Sequence, residues 1–360
     1  MSIRVRLHLR NIVLMLSLFA GAIGAGNAHA ISLDLDSIAA WGRFPRFCIN
    51  TYRWGDKFFN SQNPDYVVGT GKKFSIKANA NVLTDLYNFI FSDGDRTRMM
   101  MMSDPTTTVG LHLNYMALSV GYDLNVGKFF GGGESRKQFN FQFNCSLFSV
   151  DYYYMTNNIG STITRVGPTG NSEKVDVGFN GINNKYWGID TYYFFNHKNY
   201  SQAAGFSFGK VQVKSSGSLY AGFSVSRYWY EFDFNKLPDD IRAQVPLEAD
   251  DYFYQAVNRN YGLRIGYAYN WVFRPGWLLA VSESPIIGIR SGWVMDPKED
   301  KTTFSLSNRM KASLVYNRDN WFVGAVTKLE QGLIYNKKHT LVSAMFRFDV
   351  TLGYRFNLWK

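Results

Sequence analysis

The sequence predicts an all-β fold, an antiparallel transmembrane β-barrel, and three observations predict it. A period-two alternation runs through the C-terminal segment for far longer than an ordinary soluble strand. An export signal heads the chain. Aromatics reach 17 % of the 360 residues, with 23 Tyr and 29 Phe, yet mean hydropathy is slightly negative. A barrel reconciles these last facts, because alternate residues face lipid and lumen while the average looks soluble.

The first element, residues 1–30, reads as a signal peptide. Arg4, Arg6 and Arg10 form a positive n-region, Ile12 to Ala25 is apolar apart from Ser and Gly, and Ala28-His29-Ala30 has the A-x-A form. The mature chain should therefore begin at Ile31. An uncleaved anchor helix would want about 20 unbroken apolar residues. Beyond Ile31 no segment approaches that length, so membrane insertion must be by strands. The formal charge of +11 falls to +8 without the three signal-peptide arginines. Export makes nucleic acid a poor partner; phosphate-rich outer-leaflet lipid or a cationic pore fits better.

Residues 31–71 do not alternate. Trp41, Phe44, Phe47, Trp54 and Phe58 have roughly helical spacing, which suggests a short amphipathic segment that plugs the lumen or lies at the periplasmic rim.

Residues 72–360 are read as the barrel. Val109, Leu111, Leu113 and Tyr115 oppose Gly110, His112 and Asn114; Phe139, Phe141, Phe143, Cys145 and Leu147 oppose Asn140, Gln142, Asn144 and Ser146. Tyr261, Leu263, Ile265, Tyr267, Tyr269, Trp271 and Phe273 share one face, and Phe304, Leu306, Met310, Leu314 and Tyr316 another. In the last strand Val342, Ala344, Phe346, Phe348, Val350, Leu352, Tyr354, Phe356 and Leu358 face Ser343, Met345, Arg347, Asp349, Thr351, Gly353, Arg355 and Asn357. Its aromatic end beside Trp359 suits an interfacial girdle and recognition by the barrel-assembly machinery. Periodicity alone does not separate this from a soluble barrel of opposite facing; the aromatic strand ends and the export signal favour lipid outside.

Short breaks fall at 196–199, 215–217, 274–276, 317–320 and 336–338. Longer polar connectors are expected near 83–105, 126–137, 156–184, 234–252 and 291–301. Short turns suit a periplasmic end and long loops an extracellular one. The count is twelve strands, with ten or fourteen left open by the ambiguity of 147–184. Cys48 and Cys145, the only cysteines, read as two packed thiols, although a bridge between them is not excluded.

Several stretches in order carry a resemblance: Asn63-Pro64-Asp65-Tyr66-Val67, then Tyr192-Tyr193-Phe194-Phe195-Asn196 through Asn199-Tyr200-Ser201 to Ala203-Ala204, then Lys214-Ser215-Ser216-Gly217-Ser218 and Gly266-Tyr267-Ala268-Tyr269-Asn270-Trp271. With these the chain resembles an uncharacterised outer-membrane β-barrel family, a domain-of-unknown-function family of anaerobic Gram-negative gut bacteria. Pro64 stands where a small polar residue is expected. The resemblance implies the barrel and supplies no activity, cofactor or catalytic residue.

Alternation places Lys77, His112, Asp123, Asp190, Arg264, Arg309, Lys311, Lys328, Glu330, Arg347, Asp349 and Arg355 in the lumen. Cationic rings favour anions, so small anionic solutes are the expected cargo; the bland reading is that these groups pair across strands and fill the interior. Enzyme chemistry finds thin support. His112 and Ser119 are both inward on adjoining strands, as a lipase would need, and Asp239-Asp240 with Asp250-Asp251 share one loop, as for a protease or a cation site. No zinc spacing or phosphate loop is present, and no cofactor is called for. The expectation is a porin-like or transport barrel of the outer membrane of a Gram-negative bacterium, gated by 31–71. The alternative is a non-conducting barrel that binds a partner or glycan through its loops, with Phe89, Phe91 and Met99–Met102 as an apolar contact. An outer-membrane hydrolase ranks last.

Overall fold

The computed structural model describes residues 61–92, 96–115, 118–125, 135–246, 252–294, 301–335 and 339–357, with isolated helical positions 43, 46 and 50. The rest of the 31–71 segment before residue 61, Cys48, and Asp250-Asp251 lie outside the described residues.

The strands, in chain order, are β1 (Val67–Gly69), β2 (Phe74–Phe91), β3 (Thr97–Ser103), β4 (Thr106–Tyr115), β5 (Leu118–Asn125), β6 (Ser135–Asn144), β7 (Phe148–Asn158), β8 (Ser161–Pro168) and β9 (Glu173–Phe179). They continue with β10 (Ile182–Phe194), β11 (Lys210–Gln212), β12 (Ser216–Asp233), β13 (Phe253–Arg274), β14 (Trp277–Val294), β15 (Lys301–Arg318), β16 (Trp321–Tyr335) and β17 (His339–Phe356). Twelve of them, β2-β4-β5-β6-β7-β10-β12-β13-β14-β15-β16-β17, run antiparallel round a ring that β17 closes onto β2 from Phe356↔Phe74 to His339↔Phe91. The number is the one expected from the alternation. Closure leaves no unpaired edge in the wall.

The two faces of the wall are chemically opposite. Ile265 is 66 % exposed and its neighbour Arg264 1 %; the same inversion repeats at Phe304 against Ser305 and at Phe348 against Arg347. A water-soluble barrel would bury the apolar set, so this pair of faces resolves what periodicity left open. At the end carrying the short turns, half-buried or exposed rings meet on neighbouring strands: Trp277 lies 4.7 Å from Tyr316, Trp321 4.7 Å from Tyr354, and Phe74 stacks on Phe356 at 5.8 Å. Such a girdle is the arrangement that amphipathic rings take at a membrane–water boundary.

The barrel has a tall side and a short one. β2 and β12–β15 have 18 to 22 residues, whereas β4–β7 have 8 to 11. Halfway along β2 the partner changes: Phe74–Leu83 pairs with β4, and Leu86–Ile90 with β3, which carries β8 and β9 beside it. The sheet β3-β8-β9 thus takes over beside β2 where β4 stops. Asp85 holds the junction: its backbone N–H donates to Ser103 Oγ, and its buried carboxylate accepts from Asn157 and Arg136.

Four sequence expectations change here. Residues 83–91 and 97–103, read as connector, are strand, because Leu83, Tyr87, Phe89 and Phe91 continue the inward phase of β2 and find apolar partners. The 156–184 connector contains the end of β7, all of β8 and β9 and the start of β10 for the same reason. Phe89, Met99 and Met101 are buried in a core rather than offered as a surface contact; only Met102 and, in part, Met100 are accessible. Cys145 sits in the turn after β6 instead of on its face. Its thiol donates to Phe148 O at 3.0 Å and accepts from Phe148 N–H at 3.3 Å, and burial pushes the thiol pKa up.

Candidate functional site

Among the described residues the interior gathers charged and polar groups away from solvent, and it is organised in three layers. At the long-loop end the layer is apolar. Phe89 on β2 is fully buried and meets Phe232 on β12 edge-on at 5.0 Å, Tyr254 on β13 at 5.4 Å and Phe234 at 5.6 Å. β2 and β12 stand on opposite sides of the ring, so these contacts cross the lumen from wall to wall. A 3-10 turn (Phe234–Lys236) and a short helix α2 (Asp239–Arg242) dip Leu237 and Ile241 into the same core.

The middle layer is ionic and tyrosine-rich. Asp190 accepts from both Arg264, at 3.1 Å, and Arg309. Arg309 also reaches Glu330 at 3.3 Å and the Tyr153 hydroxyl. Lys311 pairs with Asp151 at 3.5 Å, and the Tyr186 hydroxyl donates to Met345 Sδ at 3.0 Å. β10 and β17, which carry this last pair, are again opposite in the ring. Arg347 donates to Asp349 at 2.5 Å and to Asp123 at 3.4 Å, and His112 Nε2 lies 3.2 Å from Asp123 Oδ1. Each carboxylate in this lattice has at least one cation, the condition under which buried charge is tolerated.

The third layer is a loop folded into the turn end of the lumen. Between β10 and β12 the chain turns at Asn196–Asn199, forms a five-residue helix α1 (Gln202–Phe206) capped by Ser201, and returns through β11. Gln212 is its keystone. Its amide donates to Asn199 O and Lys214 O, and its carbonyl accepts from Ser201 N–H and from Asn270 on the wall. Ser313 donates to Gly205 O at 2.6 Å and Arg355 to Phe208 O at 2.8 Å. Phe208 has a left-handed backbone, φ 63°, a conformation costing a non-glycine residue on the order of 1 kcal/mol. It is held there by packing on Phe322 and over Gly324, where any Cβ would come within 2.4 Å of its ring. β1 pairs with β11, so residues 67–69 tie to this loop.

Between the layers, among the described residues, cavities of ≈ 90, 70 and 70 Å³ lie in file. The first and second share Tyr186, Arg309, Glu330 and Met345 as a partition, and the second and third share Asn140, Gln142, Lys328 and Arg347.

The structure places Lys77, His112, Asp123, Asp190, Arg264, Arg309, Lys311, Lys328, Glu330, Arg347, Asp349 and Arg355 on the inward phase of their strands. Asp85, Arg136, Asp151 and Arg290 join them, and sequence reading missed all four. The first two fell in presumed connectors, Asp151 in the ambiguous 147–184 stretch, and Arg290 in β14, whose alternation went unread. The hydrolase candidates do not assemble. The His112 ring lies against Gly121, where a Cβ would meet Nδ1 at 2.0 Å, and its Nε2 is taken by Asp123. Among the described residues no hydrogen bond joins it to Ser119. Asp239 is solvated and pairs with Arg242 at 3.6 Å. Among the described residues no group of His, Cys, Asp or Glu is placed to hold a metal.

A family model described as "Domain of unknown function (DUF4421)" matches residues 61–356, and the chain belongs to that family. No curated protein matches it in sequence. Among solved structures it is similar to the outer membrane protease OmpT of Escherichia coli, 9 % identical, covering 80 % of this chain and 97 % of that one, with a TM-score of 0.37. It is also similar to the outer membrane protein OprG of Pseudomonas aeruginosa (12 % identity, 79 % and 97 % covered, TM-score 0.27) and the toluene transporter TodX of P. putida (8 %, 79 % and 90 %, 0.27).

Proposed function

We propose that this member of the DUF4421 family is an outer-membrane barrel that stands shut at rest and passes a small polar solute when its closures give way, rather than a standing porin. One observation carries the reading: opposite walls touch at Phe89–Phe232 and at Tyr186–Met345, while cavities lined by both charged and aromatic side chains lie in file along the lumen. Apolar constrictions hold a pore closed by excluding water, and charged partitions between cavities supply stepping sites once the constriction opens. The apolar outer wall, the aromatic girdle and the export signal ending near Ala30-Ile31 support residence in the outer membrane of a Gram-negative bacterium. There lipid surrounds the wall, and the aromatic C-terminal strand is the feature the barrel-assembly machinery would read.

Solute uptake into proteoliposomes tests this. The native protein should pass almost nothing. A variant in which residues 200–213 are replaced by a short Gly-Ser turn and Phe89 is changed to Ala should admit small polar solutes while keeping its strand content. If that variant is as tight as the native protein, the transport reading falls.

A second reading has an observation of its own. Among the described strands β9 pairs only with β8, and an open edge is a place for a partner's strand to add. On that reading the barrel is a closed support and β9 the working surface; charge-reversing Lys174 and Asp176 would then abolish partner capture without touching uptake.

A further inference from the structure

We propose that the third cavity, next to the lumenal loop, is a binding site for a small oxyanion, phosphoryl or carboxylate, held between Lys77 and Lys328. The inference deepens the transport reading by naming the chemical class of the solute, and it rests on how the interior charges are matched. Arg136 has Asp85, Lys311 has Asp151, Arg264 and Arg309 share Asp190 and Glu330, and Arg347 has Asp349 and Asp123. Arg290 and Arg355 have no carboxylate, but neutral acceptors satisfy them: Leu333 O and Asn260 Oδ1 for the first, Phe208 O and Asn317 Oδ1 for the second.

Lys77 and Lys328 differ from all of these. Among the described residues neither has a carboxylate within ion-pair reach or a hydrogen-bond acceptor. Lys77 is 6 % exposed, and its ammonium lies 6.0 Å from the centroid of the Phe208 ring. Both lysines line the same cavity of ≈ 70 Å³. Two unpaired ammonium groups out of bulk solvent repel each other and are costly to desolvate. The cations above each have a carboxylate or neutral acceptors, which leaves this pair for a charge that comes from outside. The hydroxyls of Ser119 and Thr351 and the amides of Asn79, Asn140 and Gln142 also line the cavity, donors suited to oxyanion oxygens; His112, Arg347 and Asp349 line it too, the first paired with Asp123 and the other two with each other. At about 15 Å³ per water position the space takes roughly five waters, or one small anion with its remaining hydration. Phe206 and Phe208 of the lumenal loop form its floor, so an anion seated there would lie directly against the segment that closes the turn end.

Anion-dependent stabilisation tests the site. The mature chain, refolded into detergent micelles in chloride, is titrated with inorganic phosphate or with acetate while its thermal midpoint is followed. A saturable rise is expected with at least one of them, and which one responds tells phosphoryl from carboxylate. In Lys77→Gln or Lys328→Gln the half-saturating concentration should rise by about thirtyfold or more, whereas Lys236→Gln, an exposed control, should match the native chain. Without added anion, the Lys77→Met/Lys328→Met double variant should melt higher than the native protein, because it removes uncompensated charge. A flat response to both anions, an undiminished response in the double variant, or a lower anion-free midpoint would each overturn the proposal. The readout does not depend on permeation: stabilisation in a protein that passes no solute would remove the transport reading and leave the site in place.

Discussion

The two ends of the lumen are closed by different chemistry. At the long-loop end the closure is made chiefly of the wall itself: Phe89, Phe232 and Tyr254 are strand residues whose rings interlock edge to face. At the turn end it is made of a separate segment, residues 196–215, held by hydrogen bonds from Gln212, Asn270, Ser313 and Arg355. Apolar packing shared among opposite strands opens only by exposing those rings to water, which makes it the costlier closure to undo. A loop held by a handful of polar contacts can leave as a unit, since water replaces those contacts at small net cost. The difference teaches which end is built to move, and it assigns stability to one closure and gating to the other.

The sharpest way to break that division is at Phe89. Phe89→Ala should lower unfolding stability by about 3–5 kcal/mol, the usual cost of emptying a packed aromatic site, and urea unfolding of the refolded barrel measures it. Gln212→Ala comes next. It strands the Ser201 N–H and two loop carbonyls and should cost about 1–3 kcal/mol. Limited proteolysis should then cut within 199–213 while the barrel stays intact; equal loosening of the long-loop end would erase the contrast between the two closures. A finer comparison uses Phe208. Both Phe208→Ala and Phe208→Gly remove the ring, but only glycine is at ease at φ 63°, so the Gly variant should be more stable than the Ala variant by roughly 1 kcal/mol. The smallest effect belongs to Lys236→Ala. It breaks an exposed pair with Asp233 and should move stability by less than about 0.5 kcal/mol.

What was legible in the sequence follows the same boundary between wall and inserted segment. Period two tells which face a residue takes, so the strand through Arg264 and Ile265, the closing strand through Arg347 and Asp349, and the number of strands could all be read from alternation. It does not tell what the inward face meets. Phe89 and Met99 looked like a loop because a strand that continues past its neighbour's end carries apolar residues on its inner side, and so loses the polar–apolar contrast that marks a strand. The lumenal loop was hidden for another reason. Between the breaks at 196–199 and 215–217, residues 200–214 are small and mixed, and their folding depends on Asn270, Ser313 and Arg355, which lie far along the chain. The candidate site was half legible: Lys77 and Lys328 could be assigned to the lumen, but that they lack both a carboxylate and a neutral acceptor shows only once Asp85 and Asp151 are seen to hold Arg136 and Lys311 and backbone carbonyls to hold Arg290 and Arg355.

The claim beneath the rest is that the opposite walls meet, so that no continuous water path runs through the resting barrel. Single-channel recording of the mature native protein in a planar lipid bilayer addresses it directly. Insertion without conductance steps at low voltage is the expected result; steady ohmic steps from the unmodified chain would contradict it.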